Sequence, residues 1–425
     1  MRSPTDVPPR APLDELRRVI RRIEVGRPPR PTPAPVEQVV GGELVETDAG
    51  PLVVVRREYP LSHRHGHLPL GEAVGISPAA LELIARLGEV PDDARGLLFL
   101  DTETTGLAGG TGTYAFLVGA GWIEGDRFVV AQYFMRDFDE EPALLAALAP
   151  LLERASGLVT FNGSGFDVPL LETRFILARR RWPVVVGHVD LLRPARRVWA
   201  ARFADCRLGT LEREVLGLAR EADVPGALIP SLYFDFLRSR RAAPLERVFA
   251  HNRDDVLSLV TLLGWFARAL AGPPEAVADP AELAGLGRLL ERVDFERSAP
   301  YYRQALAAGL AGAEAQRLRL RLALGEKRRA QWEAACALWE AAAGAGAFDL
   351  TPWEELAKYR EHRRRDHAGA SAIVARALAL ADAGGASERA LAALRHRQAR
   401  LERRLSARDR AVDELTRAGR TMEVP

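Results

Sequence analysis

Short apolar runs alternate with amphipathic stretches through the middle of the chain. Runs typical of buried strands begin at residues 96, 113, 127, 157 and 184, and the spacing of apolar positions between and after them predicts helices. Three consecutive strands followed by alternating helix and strand predict an α/β domain over 96–271, with a mixed five-stranded sheet flanked by helices. Its helices are expected at 141–154, 168–181, 208–216, 231–239 and 244–270. Glycine and proline at 272–281 predict a linker that ends the domain.

The segment before this domain follows a different pattern. Residues 1–36 predict a helix, 11–25, with leucine and isoleucine along one stripe, followed by a proline-rich linker. Residues 37–95 alternate weakly between apolar and polar positions around 42–58, which predicts a strand pair. We therefore expect 37–95 to form a small β and loop appendage to the α/β domain.

The last third of the chain is helical and repetitive. Segments that begin at Phe295, Trp332 and His367 align at steps of 37 and 35 residues. Each carries a small residue three positions later, a bulky residue at seven and alanine at ten. The steps are close to the ~34 residues of tetratricopeptide repeats, and small residues opposite bulky ones let helices stack closely. We predict tetratricopeptide-like helical repeats over 282–405 and a tail over 406–425; an unrelated helical bundle is the alternative.

Composition and charge restrict the class of protein. The 425 residues include 48% hydrophobic and 27% charged residues, which is typical of a folded protein of several domains. No apolar run reaches the ~18–20 residues that cross a membrane, and the charged first residues do not resemble a secretory signal. Two cysteines, Cys206 and Cys336, are too few for a disulfide framework and favour the reducing cytoplasm. A net charge of +2 gives no general attraction to nucleic acid, so such binding must come from a local site.

Four carboxylates stand out by their positions relative to the predicted elements. Asp101 and Glu103 follow the strand that begins at 96, and alternate residues of a strand point to the same side. Neighbouring carboxylates at a strand end repel each other and lose solvation, and a hard cation such as Mg²⁺ or Mn²⁺ would relieve both costs. Asp167 follows a strand and a glycine turn, where a helix N-cap is the alternative interpretation. His251 and Asp255 share a helix face, where a solvated helix start is the alternative.

Together the three segments resemble the three motifs of the DEDD exonuclease family, which belongs to the ribonuclease H-like superfamily. The motifs are Asp-x-Glu-Thr at 101–104, Asn-x3-Phe-Asp at 162–167, and a histidine shortly before a final aspartate at 251–255. With the glycine-rich run at 109–119 and the helical repeats, residues 96–425 are similar to the YprB-type group of that superfamily. The resemblance implies a ribonuclease H-like fold and a 3′–5′ exonuclease of single-stranded DNA or RNA that uses two divalent cations, Mg²⁺ or Mn²⁺.

The same resemblance implies roles for individual residues. The four acids would hold the two cations and His251 would accept the proton of the attacking water; the acids are Asp101, Glu103, Asp167 and Asp255. Members of the family have tyrosine four residues, or histidine five residues, before the last aspartate, whereas this chain has His251 at four. His251 could therefore orient water or a phosphate oxygen instead. Asp254 competes with Asp255 as the final ligand, although the spacing favours Asp255.

Further residues would lie around the substrate. By the resemblance, the strand of nucleic acid would be bordered by Thr104, Leu107, Asn162 and Phe166, with core packing as the alternative for Phe166. Asp190 could support the acids or cap a helix. Arginines at 193–197 and 179–181 are candidate phosphate contacts, with solvated charged faces as the alternative.

Other sequence patterns bear on cofactors and partners. The run at 109–119 is not followed by a helix pattern and no P-loop is present, so we expect no nucleotide cofactor. His63, His65 and His67 could bind a metal, but no cysteine lies nearby, and a polar or substrate-facing loop is favoured. The repeats would bind a protein partner or extend the nucleic-acid track. Alternative functions are an endonuclease of structured or hybrid nucleic acid and a repeat scaffold with an inactive nuclease domain.

Overall fold

The computed structural model describes residues 33–85, 93–106, 110–183, 187–220, 223–344, 348–384 and 386–420. The predicted helix over 11–25 lies outside these ranges. The strands within them are β1 (Glu43–Thr47), β2 (Gly50–Pro60), β3 (Arg64–His65), β4 (Leu68–Pro69), β5 (Leu97–Thr104), β6 (Ala115–Glu124), β7 (Arg127–Phe134), β8 (Gly157–Thr160) and β9 (Gly187–Asp190).

The helices fall into two groups. The first surrounds the sheet: α1 (Val36–Val40), α2 (Pro78–Ile84), α3 (Glu141–Arg154), α4 (Asp167–Leu177), α5 (Leu192–Trp199), α6 (Leu208–Leu211), α7 (Ile229–Ser239) and α8 (Leu245–Ala271). The second is consecutive: α9 (Pro280–Leu290), α10 (Phe295–Ala307), α11 (Gly312–Arg328), α12 (Trp332–Ala343), α13 (Leu350–Lys358), α14 (His367–Ala383) and α15 (Glu388–Arg420). None of the described helices is long and apolar enough to cross a membrane.

The main sheet is mixed and has the strand order β1-β2-β7-β6-β5-β8-β9. Strand β5 lies antiparallel to β6 and parallel to β8, which in turn is parallel to β9. The sheet has seven strands, so the predicted number of five was wrong. The two additional strands are the β1–β2 hairpin, which extends the sheet beyond β7. Strand β2 pairs antiparallel with β7 and places Val54 opposite Tyr133. The hairpin itself was predicted at 42–58, but its attachment depends on residues far away in sequence.

Both faces of the sheet are covered. Leu97 and Phe99 pack into a core with α8, whereas Leu98 and Leu100 point to the opposite face, against α3 and α4. This alternation explains the continuous apolar run of β5, because a strand buried on both faces has no solvent side. The carboxyl ends of the parallel strands β5, β8 and β9 meet at one edge, where the predicted acids lie.

The helical C-terminal region is docked on the sheet domain through α5 and α9. A Cβ on Gly285 of α9 would lie 2.4 Å from the Cα of Val198, so only glycine allows this approach of the two helices. The indole nitrogen of Trp199 donates to Glu282 Oε1 at 2.9 Å. One apolar cluster continues from the sheet into α9, α10 and α11. These contacts fix the two regions relative to each other.

The predicted repeat units correspond to α10, α12 and α14, which begin at Phe295, Trp332 and His367. Their matching positions are buried in every unit: Ser298, Tyr302 and Ala305; Ala335, Trp339 and Ala342; Ala370, Val374 and Ala377. The mostly helical C-terminal region is confirmed. Its assignment to the tetratricopeptide family, like the predicted domain boundaries, stays a prediction.

A buried ion cluster ties the last helix to the region before it. Glu361, in the π-helical turn Tyr359–Arg363, has a fully buried side chain. It accepts from three arginines of α15: Arg397 at 3.1 Å, Arg400 at 2.7 Å and Arg404 at 2.9 Å. Three cations around one carboxylate compensate for its loss of solvation.

Candidate active site

Asp101 is held by a buried asparagine of α8. The amide nitrogen of Asn252 donates to Asp101 Oδ2 at 2.8 Å, and its Oδ1 accepts from Gln132 Nε2 at 2.9 Å. Asn252 is fully buried between β5, β6 and β7. A Cβ on Gly119 of β6 would lie 2.4 Å from Asn252 Oδ1, so glycine makes room for this side chain. Three strands and one helix therefore fix the position of Asp101.

Asp167 opens α4 after the turn that follows β8. Thr102 of β5 donates its hydroxyl hydrogen to Asp167 Oδ1, which connects α4 to the strand that carries the first two acids. Phe166, not Asp167, occupies the N-cap position of α4. The N-cap interpretation of Asp167 is therefore not what the structure shows.

The turn before Asp167 is fixed by Asp190, at the end of β9. Asp190 accepts from the backbone nitrogens of Asn162 at 2.8 Å, Ser164 at 3.1 Å and Leu192 at 3.2 Å. Asn162 adopts a left-handed backbone conformation, with φ 67°, which this anchoring stabilises. Asp190 thus holds the turn and also contacts the first residue of α5, although Leu191 occupies the N-cap position of that helix.

Burial and mutual repulsion act strongly on these acids. Loss of solvation raises the pKa of Asp101 well above its usual range, and the charges of Asp255 and Asp167 raise it further. The pKa of Glu103 is raised well above its usual range by burial and then by the charges of Asp101, Asp255 and Asp167. Burial also raises the pKa of Asp167 to about 6. The structure therefore brings the four predicted acids within electrostatic range of one another.

The positive charge beside Asp255 comes from Arg220, in the segment between α6 and α7. Its guanidinium pairs with both Asp255 and the buried Glu212. Glu212 also accepts from the Ser258 hydroxyl, and Ser258 Oγ lies 2.9 Å from His65 Nε2. Burial lowers the pKa of His65 to about 4. His65 of the histidine cluster thus belongs to a hydrogen-bonded network that leads to Asp255.

His251 stands between two of the acids. Its Nε2 lies 3.9 Å from Glu103 Oε1 and 3.7 Å from Asp255 Oδ2. Its Nδ1 lies 2.7 Å from Asp223 Oδ1. A carboxylate at Nδ1 fixes the orientation of the ring and leaves Nε2 facing the acids.

The remaining predicted residues differ in their surroundings. Thr104 is buried and donates its hydroxyl hydrogen to Gly106 O at 2.9 Å. Asn162 is exposed and Phe166 is half-buried against the core, whereas Leu107 lies outside the described residues. Asp254 pairs with the adjacent Arg253 at 2.7 Å, while it is Asp255 that acts on the other acids.

A groove of about 670 Å³ opens beside the acids. Its walls carry Arg207, Thr210, Arg213, Arg220 and Asp223, and His251 and Asp255 line its inner end. Guanidinium groups above a carboxylate cluster are suited to an anionic ligand whose phosphate must come close to the acids.

The four acids offer a set of ligands that fits a hard divalent cation, because carboxylate oxygens are the ligands that Mg²⁺ and Mn²⁺ prefer. Across the described ranges, no group of three or more His, Cys, Asp or Glu side chains is arranged as a metal site. Arg220 engages Oδ1 of Asp255, so its positive charge competes with a cation for this acid.

Sequence reasoning missed several supporting residues. Asn252 lies three positions before Asp255, and this helical spacing could have indicated that both residues face Asp101. Arg220 and Asp223 lie in an irregular segment, and their contacts with α8 have no signature in the local sequence.

Comparison with known proteins is consistent with this geometry. A family model described as RNase H superfamily matches residues 98–267, which run from β5 into α8 and include the four acids. The chain is 33% identical over 357 residues to the Bacillus subtilis (strain 168) protein named "Uncharacterized protein YprB". That alignment covers 82% of this chain and 85% of the relative. The chain therefore belongs to the YprB family and carries a ribonuclease H superfamily domain at residues 98–267.

Proposed function

We propose that this protein is a divalent-metal-dependent 3′–5′ exonuclease that hydrolyses phosphodiester bonds of single-stranded DNA or RNA. Membership of the ribonuclease H superfamily suggests a nuclease. The observation that carries the finer proposal is the cluster of Asp101, Glu103 and Asp167, whose buried carboxylates repel one another at one edge of the sheet. Such a cluster costs stability, which supports a role in binding cations.

Each residue has a role in this proposal. The acids Asp101, Glu103, Asp167 and Asp255 would hold two cations, Mg²⁺ or Mn²⁺. Cations held there would supply a lower pKa for the attacking water and stabilisation of the leaving oxygen. His251, oriented by its contact with Asp223, would take the proton of that water or hold the water in place through Nε2. The end of the substrate strand would lie against Thr104, Leu107, Asn162 and Phe166.

The helical region would serve recognition. We infer that α9–α15 form a tetratricopeptide-like module that binds a protein partner or extends the substrate track. The scarcity of cysteine supports a cytoplasmic location for the whole protein.

The test is digestion of a 5′-labelled single strand in Mn²⁺, with a circular single strand in parallel. Stepwise shortening of the linear strand and resistance of the circle are expected. Asp101→Asn should abolish the ladder, whereas Asp126→Asn, which alters a side chain that is 96% exposed, should leave it unchanged. Cutting of the circle would support an endonuclease. A wild-type protein that is inert on both DNA and RNA would support the scaffold alternative.

A further inference from the structure

A second basic surface lies where the helical region meets the sheet domain. A groove of about 400 Å³ between α5, α9 and α11 is lined by five arginines, one glutamate and two alanines. We call it the interdomain groove; its arginines are Arg196, Arg197, Arg288, Arg317 and Arg321. Because α5 and α9 are in close contact at Gly285, the arginines from the two regions are held at fixed separations.

The arginines of α5 are the ones available to a ligand. On the helical side, Arg288 and Arg317 pair with Glu314, and Arg321 pairs with Glu291.

Among the described residues, by contrast, no ion pair engages Arg193, Arg196 or Arg197, and all three are exposed. The pKa of Arg197 is lowered first by partial burial and then by the positive charges of Arg292 and Arg193. Folding gains nothing from crowding unpaired cations in this way.

Helix α5, which carries Arg193, Arg196 and Arg197, starts beside the turn that precedes Asp167. Asp190 fixes the turn that precedes Asp167 and also accepts from the backbone nitrogen of Leu192, the first residue of α5. Arg193 follows directly, and the spacing of Arg193, Arg196 and Arg197 places them on one helix face. The row of guanidinium groups therefore starts at the sheet edge that carries the acids and leads toward α9 and α11.

We propose that the interdomain groove binds the phosphate backbone of the nucleic-acid strand whose end lies at the acids. Guanidinium groups match phosphate geometry and remain charged at any physiological pH. The proposal rests on the proposed function for the identity of the polyanion. An acidic protein segment is the other ligand with this chemistry, and it is an outcome of the test below.

The length of the nucleic-acid strand distinguishes binding in this groove from binding at the active site. We expect a strand of about five nucleotides to occupy the acids alone and one of about 25 to reach α5 as well, since single-strand sites commonly span about 4–16 nucleotides. Each phosphate contact adds about 0.7 to the slope of log affinity against log salt for single strands. Loss of three contacts should lower that slope by about 2 and leave the short strand unaffected.

The experiment compares full-length Asp101→Asn protein, which holds the substrate intact, with the same protein carrying Arg193→Gln, Arg196→Gln and Arg197→Gln. Binding of labelled oligothymidylate and oligouridylate of both lengths is measured by fluorescence anisotropy across a salt series. We expect the affinity for the long strand to fall at least ten-fold and the affinity for the short strand to stay unchanged. The slope of log affinity against log salt for the long strand should fall by about 2. The control removes three equally exposed arginines of α15: Arg403, Arg408 and Arg410. The substituted side chains are exposed, so the unfolding temperature should not move, and this is checked.

Each other result has a definite meaning. Three results would overturn the proposed role of the groove. They are an equal loss of affinity for both strand lengths, an unchanged slope of log affinity against log salt, and the same loss of affinity in the α15 control. Displacement of the long strand by polyglutamate at equal charge concentration would assign the groove to an acidic protein segment. The proposed function fails separately, if wild-type protein with Mn²⁺ degrades no strand. The groove is still supported in that case if the three substitutions weaken binding of the long strand.

Discussion

Replacing Asp167 with asparagine should make the metal-free protein more stable while removing its activity. Burial raises the pKa of Asp167 from 3.8 to about 6, which means that the folded protein resists the ionised form. A shift of about 2 units corresponds to an upper limit of about 3 kcal/mol of stability lost at neutral pH. Asparagine keeps the Oδ1 that accepts from Thr102 and carries no charge. For a domain of this size, the gain corresponds to an increase of about 5–10 °C in unfolding temperature.

The pH dependence identifies the cause. Because the pKa is raised on folding, the folded state binds more protons than the unfolded state between about pH 4 and pH 6. Stability of the wild type is therefore lost as pH rises through that window. The difference in free energy of unfolding between Asp167→Asn and wild type should be near zero at about pH 4, grow up to about pH 6 and then stay constant.

The assay is thermal and urea denaturation in a chelating buffer across this pH range. Asp126→Asn, at an exposed position, is the matched control and should change stability by less than about 0.5 kcal/mol. Mn²⁺ should raise the unfolding temperature of the wild type and should affect Asp167→Asn less. The reasoning is refuted if Asp167→Asn is less stable than wild type at pH 7.5, or if the difference does not depend on pH.

Three further substitutions test other parts of the structure. Arg220→Gln frees Asp255 from its ion pair and should increase Mn²⁺ affinity several-fold in a calorimetric titration; a decrease would contradict competition between arginine and cation. Gly119→Ala pushes against Asn252 and should cost about 1–3 kcal/mol in denaturation while also weakening Mn²⁺ binding, and an unchanged protein would show that the contact relaxes easily. Glu361→Gln leaves three arginines without their carboxylate and should cost about 2–4 kcal/mol in urea denaturation; a cost below 0.5 kcal/mol would show that the cluster contributes little.

The parts of the fold that depend on local sequence were predicted well. The apolar run that ends at Asp101 indicated a buried strand, and β5 occupies Leu97–Thr104. The predicted repeat units each begin a helix with the expected small and bulky residues buried. These elements were predictable because the spacing of apolar residues along a short segment itself determines which side of a strand or helix is buried.

The parts that failed depend on contacts distant in sequence. Nothing in residues 43–60 indicates that Val54 lies opposite Tyr133, because register is set by the completed sheet. Arg220 was missed for the same reason, since its partners are on other elements and its own segment is irregular. The motif acids could be named from their spacing along the chain, whereas the residues that contact and orient them could not, and the role of these acids stays a prediction.

Two aspartates near this sheet edge, Asp190 and Asp101, differ in how far the protein satisfies their charge. Asp190 is more buried than the motif acids, but it accepts from three backbone nitrogens and the Ser164 hydroxyl, so its charge is satisfied by the protein itself. The side chain of Asp101, in the described hydrogen bonds, has a single donor in Asn252. His251 Nε2 is 3.9 Å from Glu103, too far for a hydrogen bond. Carboxylates brought together with few protein donors are costly in a folded chain, and this cost supports the proposed role of these acids in binding a cation.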